Sequence, residues 1–160
     1  VKVFSTANND PNAGIEVDVS AKQKPFGRFQ FHQQLHYTYT RALTTAIYGN
    51  LSNAYLKQLI YVPYHKAVLG IGITYKNWEF RYSQQFTDRY FISADNETYM
   101  PAYTVAQISF MHTNILHNTK HLLRAALRIN NLYDMPYQVI PYRPEPGIHF
   151  SVQLTYSPRF

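Results

Sequence analysis

The stretch IHFSVQLTYSPRF, from Ile148 to Phe160, decides the fold. Every even position in it is apolar, and every odd position is polar or charged. Successive side chains of a β-strand point to opposite faces, so this stretch predicts a strand with one apolar and one polar face. The apolar face must lie against either a protein core or a lipid bilayer, and the rest of the chain has to decide between the two.

The same period of two recurs along the chain. It is clear in GIEVDVSAK (14–22), RFQFHQQLHYTYT (28–40), KAVLGIGITYK (66–76), WEFRYSQQFTDR (78–89) and LLRAALRIN (122–130). It is weaker in TVAQISFMHT (104–113), where Val105 and Met111 fall on the polar face. With a short VKVFST at the start, the pattern predicts an all-β chain of about eight antiparallel strands.

The connections between these strands alternate strictly between short and long. The short ones lie near Pro25, at 76–77 and at 117–120, and the long ones span 7–13, 42–63, 91–102 and 134–147. Outer-membrane barrels show this asymmetry, with short turns on the periplasmic side and long loops outside. The connections therefore favour a transmembrane barrel.

Aromatic residues at the strand ends favour the same fold. Tyr75 and Trp78 flank one short turn, and Phe26 and Phe29 flank another. Tyr37, Tyr39 and Tyr156 also lie toward strand ends. Membrane barrels carry aromatic girdles at both interfaces, so these positions favour a membrane barrel over a soluble sandwich or lipocalin-like barrel.

Composition narrows the remaining classes of protein. The 160 residues suffice for one domain, and no apolar run approaches the roughly 18 to 20 residues of a membrane helix. The net charge is +6, but the fifteen Lys and Arg are scattered singly, so we expect no nucleic-acid partner. The N-terminal VKVFSTANND opens in strand-like material, so we expect either a mature chain or a piece of a longer one.

No pattern of catalytic or metal-binding residues stands out, and we expect a protein that is not an enzyme and needs no cofactor. Cysteine is absent, and there is no phosphate loop, nucleophile elbow or zinc-binding helix motif. His32 and His36 share a strand face but lie about 13 Å apart at roughly 3.3 Å per residue. We interpret Glu16, Asp18 and Glu79 as part of a polar inner wall, together with Lys22, Arg28, Arg81, Arg124 and Arg128.

Near its C-terminal end the chain resembles TonB-dependent outer-membrane receptors. The resemblance rests on RINNLYD (128–134), YRPEPGIHFSVQLTYSPRF (142–160), MPAYTVAQISF (100–110) and LIYVPYHKAVLGIGITY (59–75), and it covers about the last 100 residues. In that family an Asn-Leu-aromatic-Asp motif closes the penultimate strand and a Pro-Gly element opens the last. Two departures are Ile148, where the family commonly has Arg, and Pro158, which lies close to the end of the chain.

The resemblance implies a 22-stranded barrel in a Gram-negative outer membrane, of which residues 1–160 form the last eight strands. It also implies a plug domain and a TonB-contacting segment, both absent from this chain, and import of a scarce nutrient. QLIYVPYHKA with DNETYMPAYT leans toward a cobalamin receptor, although iron-siderophore receptors share much of this pattern. Implied partners are lipid, TonB, the plug with the rest of the barrel, the barrel-insertion machinery and a surface lipoprotein.

The terminal strand would carry the signal read by the insertion machinery in such receptors. The residues so implied are Phe150, Val152, Leu154, Tyr156 and Phe160. Two alternatives stay open, namely a complete eight-stranded barrel with a structural, adhesive or porin-like role and a soluble β-barrel that binds a ligand.

Ligand capture would fall to the long loops, because loops on a rigid scaffold usually carry recognition. Tyrosine and asparagine combine apolar area with a hydrogen-bonding tip, which suits a large amphipathic ligand such as a corrinoid or chelate. The candidates are Tyr48, Asn50, Tyr55, Tyr90, Asp95, Asn96, Tyr99, Tyr137, Tyr142 and Arg143.

Overall fold

The computed structural model describes residues 2–6, 12–23, 27–45, 51–113 and 121–158. Within these ranges one sheet contains eight strands, each paired antiparallel with its neighbours. They are β1 (Lys2–Thr6), β2 (Ala13–Lys22), β3 (Phe29–Arg41), β4 (His65–Tyr75), β5 (Trp78–Thr87), β8 (Tyr103–Thr113), β9 (His121–Asn130) and β12 (His149–Pro158). The predicted all-β antiparallel fold with about eight strands is confirmed.

Two of the long connections contain short hairpins that the alternation did not predict. In one, β6 (Tyr90–Phe91) pairs with β7 (Tyr99–Met100), and in the other, β10 (Gln138–Ile140) pairs with β11 (Arg143–Pro144). The connection between β3 and β4 holds a short 3-10 helix, Leu51–Ala54. No helix of the described ranges is long and apolar enough to span a bilayer.

The strand register aligns the apolar positions into continuous rows across the sheet. One row runs through β3, β4, β5, β8, β9 and β12 by way of Phe31, Ile73, Phe80, Phe110, Leu127 and Val152. Because the side-chain period is two, each such row lies on one face, which we call the apolar face. The opposite side is the polar face, and Val105 and Met111 lie on it as predicted.

The short connections are tight where the structure describes them. Lys76 and Asn77 join β4 to β5 as a two-residue turn, and Lys76 has a φ of 51°. Two-residue hairpin loops favour residues with positive φ, because the turns that such residues form twist in the same sense as the flanking strands. The Phe29 ring stacks on the Tyr75 ring beside this turn, with centroids 4.6 Å apart.

The apolar face has no protein layer covering it within the described residues. On β12 the exposed fractions are 67% for Phe150, 71% for Val152 and 68% for Leu154. A soluble sandwich would bury such side chains against a second sheet. An exposed apolar surface of this extent marks a face that contacts another apolar surface or medium.

The small core that the structure does contain lies mainly beside the long connections rather than against the sheet. Buried apolar side chains in the described ranges include Leu43, Ala54, Tyr90 and Met100, which lie in or next to those connections. The buried polar residue Gln58 lies among them at 2% exposure. Folding therefore excludes water at one end of the sheet while leaving both of its faces open.

Candidate functional site

The long connections gather at one end of the sheet, and we call them loop A (42–64), loop B (88–102) and loop C (131–148). Antiparallel strands bring alternate connections to the same edge, so these three segments meet although they are far apart in sequence. Their contacts with one another determine what surface they can offer a ligand.

Gln58 holds loop A together from inside. Its side-chain amide nitrogen donates to the carbonyls of Thr40 and Val62, each at 3.1 Å. Its amide oxygen accepts the backbone N–H of Ala42 at 2.9 Å. A buried amide is costly to leave unpaired, so these bonds explain how a glutamine can be almost fully enclosed here.

Asn96 connects loop B to the same point. Its side chain accepts the backbone N–H of Gln58 at 2.8 Å and donates to the carbonyl of Gln58 at 2.9 Å. Asn96 has a φ of 62°, a conformation that asparagine tolerates better than most residues. A second bond, from the Tyr61 N–H to the Phe91 carbonyl at 2.8 Å, supports the same junction.

Tyr90 connects loop B to loop C. Its hydroxyl donates to the Val139 carbonyl at 2.7 Å, and the residue is only 4% exposed. Burial raises the pKa of the Tyr90 hydroxyl above its usual range, and the nearby Tyr103 and Tyr61 add to the effect. The hydroxyl therefore stays protonated and donating through the physiological range.

The carboxylate of Asp95 stabilises the turn within loop B. It accepts bonds from the Ser93 hydroxyl and from the Glu97 N–H, and these bonds lower the pKa of Asp95. A carboxylate that is stabilised by local donors stays ionised and ordered. It braces the tip of the β6–β7 hairpin.

Loop C is closed by a clasp built from Asn131, Asp134 and Gly147. Asn131 is 4% exposed, and its side-chain nitrogen donates to the carbonyls of Met135 and Pro146. Both Asn131 and Asp134 have positive φ values, 48° and 49°. These residues belong to the two terminal motifs of the sequence, and the structure brings the motifs together.

The Asp134 carboxylate fixes the start of the last strand. It accepts the Ile148 N–H at 2.8 Å, directly before β12 begins. A Cβ added at Gly147 would lie 2.5 Å from the same carboxylate oxygen, which explains why glycine stands there. Ile148 contributes its backbone to this contact, so the departure from arginine leaves the clasp intact.

Tyr137 lies where loop C meets the polar face. Its ring stacks on Tyr103 with centroids 4.8 Å apart, and burial, followed by the charge of Glu145, raises its pKa. It borders a cavity of about 380 Å³ that Asn130, Glu145 and His149 also line. This cavity offers hydroxyl, amide and carboxylate groups to a solute.

Other candidate side chains point outward. Tyr142 is 94% exposed at the tip of the β10–β11 hairpin, next to the exposed Arg143. Tyr99 is also exposed, and the Arg89 guanidinium lies over its ring at 5.6 Å. Tyr55 is exposed after the short helix of loop A, whereas Tyr48 and Asn50 lie outside the described residues.

Farther from the loops, the polar face forms a groove of about 550 Å³ lined from six strands, so this face is concave. One row of the register crosses the groove through Lys22, His32, Gly72, Arg81, Ser109 and Arg128. Arg81 pairs with Glu79 on its own strand. Basic residues that are far apart in the sequence therefore lie in one row across the sheet. Their spacing along the chain does not predict this row.

One group of side chains within the described ranges is arranged as metal ligands could be. It comprises Glu16, Asp18 and His36, whose ligand atoms all lie within 4.8 Å of one another. The sequence placed these residues on a polar wall but gave no sign that they meet, because His36 follows Asp18 by eighteen positions and only the pairing of β2 with β3 joins them.

The sequence matches a family model described as TonB dependent receptor-like, beta-barrel, over residues 3–132. The chain belongs to this family. The matched range reaches back to β1, well beyond the segments that first suggested the resemblance, and it ends within the clasp of loop C. No curated protein matches the sequence.

A solved receptor shares the fold. The siderophore receptor PiuA from Acinetobacter baumannii is similar with a TM-score of 0.60 and 17% sequence identity, over 91% of this chain and 22% of that chain. The chain thus spans about a fifth of the length of this receptor. At this identity the likeness shows the fold alone, and that fold is part of a receptor barrel.

Proposed function

We propose that this chain is part of the wall of a TonB-dependent receptor that imports a scarce nutrient across a Gram-negative outer membrane. The observation that carries the proposal is the open apolar face of a sheet that belongs to this family. A wall of this kind needs the other strands of a 22-stranded barrel, because eight strands of it would leave two unpaired edges. We infer that the complete receptor also has a plug and a segment that contacts TonB.

For the ligand we propose a large chelate of the cobalamin or iron-chelate class. The loop end offers tyrosine rings, amides and an exposed guanidinium, which suit a ligand with both apolar and polar surface. The similar solved structure is that of a siderophore receptor, which supports the iron-chelate class, whereas the QLIYVPYHKA segment favours cobalamin.

Within the loop end, we propose that the exposed side chains contact the ligand and that the enclosed ones hold the surface in shape. Tyr90, Asp95 and Asn96 are engaged in bonds within or between loops. The remaining described candidates, Tyr55, Tyr99, Tyr137, Tyr142 and Arg143, present ring or guanidinium surface at or beside the loop end. A surface lipoprotein that covers these loops would meet the same residues.

Uptake in living cells tests the proposal. The complete polypeptide encoded by the gene is expressed in a Gram-negative strain that lacks its own receptors, with and without TonB. We expect uptake of radiolabelled cobalamin or of an iron chelate that disappears without TonB. Equal uptake with and without TonB would reject active transport and leave a passive pore, and binding to the cell surface without uptake would reject transport altogether.

A further inference from the structure

The polar face carries a cluster of three ionisable side chains near the loop end of β2 and β3. Asp18 faces His36 in the register, and Glu16 faces Thr38 one step closer to the loops. All four side chains therefore belong to the same face and the same pair of strands. The His36 side chain is 39% exposed and the two carboxylates are each 48% exposed, so solutes in the concave face can reach them.

Asp18 fixes the orientation of the imidazole. The Asp18 oxygen lies 2.7 Å from Nδ1 of His36. An ionised carboxylate can only accept a hydrogen bond, so Nδ1 is the donor in this contact and Nε2 is the ring nitrogen available to a metal ion. Histidines that bind metals are commonly oriented in this way by a carboxylate on the other ring nitrogen.

The other ring nitrogen of His36 faces two oxygen atoms. Nε2 of His36 lies 3.7 Å from Oε1 of Glu16 and 3.1 Å from Oγ1 of Thr38. The first distance is too long for a hydrogen bond. Two ligands that are each about 2.1 Å from one metal ion lie roughly 3.0 to 3.4 Å apart, depending on the bond angle. The Thr38 oxygen already lies within that range of Nε2, and a small shift of the Glu16 side chain would bring its oxygen into it.

Among the described side chains, His36 is the ion-pair partner of both carboxylates. The register also places two lysines on this face, Lys2 opposite Asp18 and Lys66 opposite Thr38. Within the described structure, Lys66 forms no ion pair with either carboxylate. Two carboxylates beside one imidazole attract a divalent cation. Among divalent cations, a transition-metal ion binds this group best, because imidazole nitrogen together with carboxylate oxygen suits zinc, copper and nickel.

We propose that Glu16, Thr38 and His36 form a binding site for a divalent first-row transition-metal ion on the inner wall of the barrel. Nε2 of His36 and a Glu16 carboxylate oxygen are direct ligands, and Oγ1 of Thr38 is the third ligand that the protein supplies. Asp18 is a positioning residue, and water fills the open positions. The site stands on its own geometry and does not depend on which nutrient the receptor imports.

Metal titration of the complete polypeptide, purified in detergent, tests the proposal. Zinc stoichiometry is measured by equilibrium dialysis, and copper(II) is used as a spectroscopic probe, because a bound imidazole nitrogen gives resolved splitting in its EPR spectrum. The variants are His36→Gln, Glu16→Gln and Asp18→Asn. The matched control is His32→Gln, which removes a histidine from the same strand and face that has no recorded carboxylate partner.

We expect His36→Gln to lose one equivalent of zinc and the corresponding copper signal, while His32→Gln keeps both. Asp18→Asn and Glu16→Gln are expected to weaken binding by about 10- to 100-fold. If His36→Gln fails to assemble, Glu16→Gln alone decides, since it keeps the shape of the side chain. Unchanged affinity in Glu16→Gln, or equal losses in His36→Gln and His32→Gln, would overturn the site and leave a histidine that is hydrogen-bonded to Asp18 and Thr38.

Discussion

The loop end and the sheet of this chain are stabilised in opposite ways. At the loop end, a few buried polar groups such as Gln58 and Tyr90 satisfy one another away from water. In the sheet, the backbone ladder is continuous but the side chains of the apolar face remain open. The difference indicates that the loops carry their own small core, whereas the sheet depends on the medium around it.

The strongest test of this contrast is the substitution Gln58→Ala. It leaves one backbone N–H and two carbonyls without their partner, and a buried unpaired group costs about 1 to 3 kcal/mol. We expect a local destabilisation of about 3 kcal/mol, seen as amide hydrogen exchange about 100-fold faster in loop A. Gln153→Ala, which truncates an exposed glutamine of the polar face, serves as the control. Unchanged exchange would show that loop A has no core of its own.

Leu154→Arg tests the other half of the contrast. A charge on the lipid face of a barrel costs about 2 to 4 kcal/mol near the middle of the bilayer. We expect less of the complete polypeptide to reach the heat-modifiable, membrane-inserted form on electrophoresis. The matched variant Gln153→Arg adds the same charge at the adjacent position on the opposite face. Equal tolerance of the two would reject the assignment of the apolar face to lipid.

Tyr90→Phe sharpens the description of the loop end. Loss of one hydroxyl bond to loop C is expected to cost about 1 kcal/mol and to speed exchange in the β10–β11 hairpin several-fold. Because the pKa of Tyr90 is raised in the fold, its stabilising contribution is present below the ordinary tyrosine pKa and is lost as pH rises beyond it. The hairpin of the native chain is therefore expected to loosen in strong alkali.

The Tyr90→Phe variant should show a smaller increase in amide exchange of the β10–β11 hairpin at alkaline pH than the native chain shows. Tyr99→Phe is the control, because Tyr99 is exposed and its hydroxyl has no recorded partner in the described structure. A hairpin equally sensitive to alkali in native and Tyr90→Phe chains would place the titrating group elsewhere.

Tyr142→Ala is expected to have the smallest effect on stability, within about 0.5 kcal/mol, because the side chain is almost wholly exposed. The same change is expected to weaken ligand binding if this ring contacts the ligand. Affinity measured on whole cells, with urea unfolding as the reference, separates the two effects. Weakened binding together with lost stability would mean that the ring supports the loop rather than the ligand.

The alternation of apolar and polar residues is enough to predict the eight strands of the main sheet and their faces. It works because a period of two is local and each strand of the sheet has one apolar and one polar face. The register between strands is not local, so the row through Lys22, Arg81 and Arg128 and the meeting of His36 with Glu16 could not be predicted. Both depend on which residue of one strand lies opposite which residue of the next.

The loop end was predicted least well, for a related physical reason. A glutamine in a long connection has the same local signature whether it is exposed or enclosed. Only the surrounding carbonyls and N–H groups make Gln58 a central residue. The RINNLYD and Pro-Gly segments were identified from a resemblance, and their contact through Asp134 supplies the physical reason for both.

The hairpin tip at Tyr142 has a practical consequence. Its φ of 63° and its nearly complete exposure mark a tight turn whose side chain supports little of the surrounding structure. Exposed tips of this kind are where proteins accept inserted sequence. A short epitope placed after Tyr142 would therefore be expected to reach antibodies on intact cells, and so to report which side of the membrane the loops occupy without disturbing the strands that hold them.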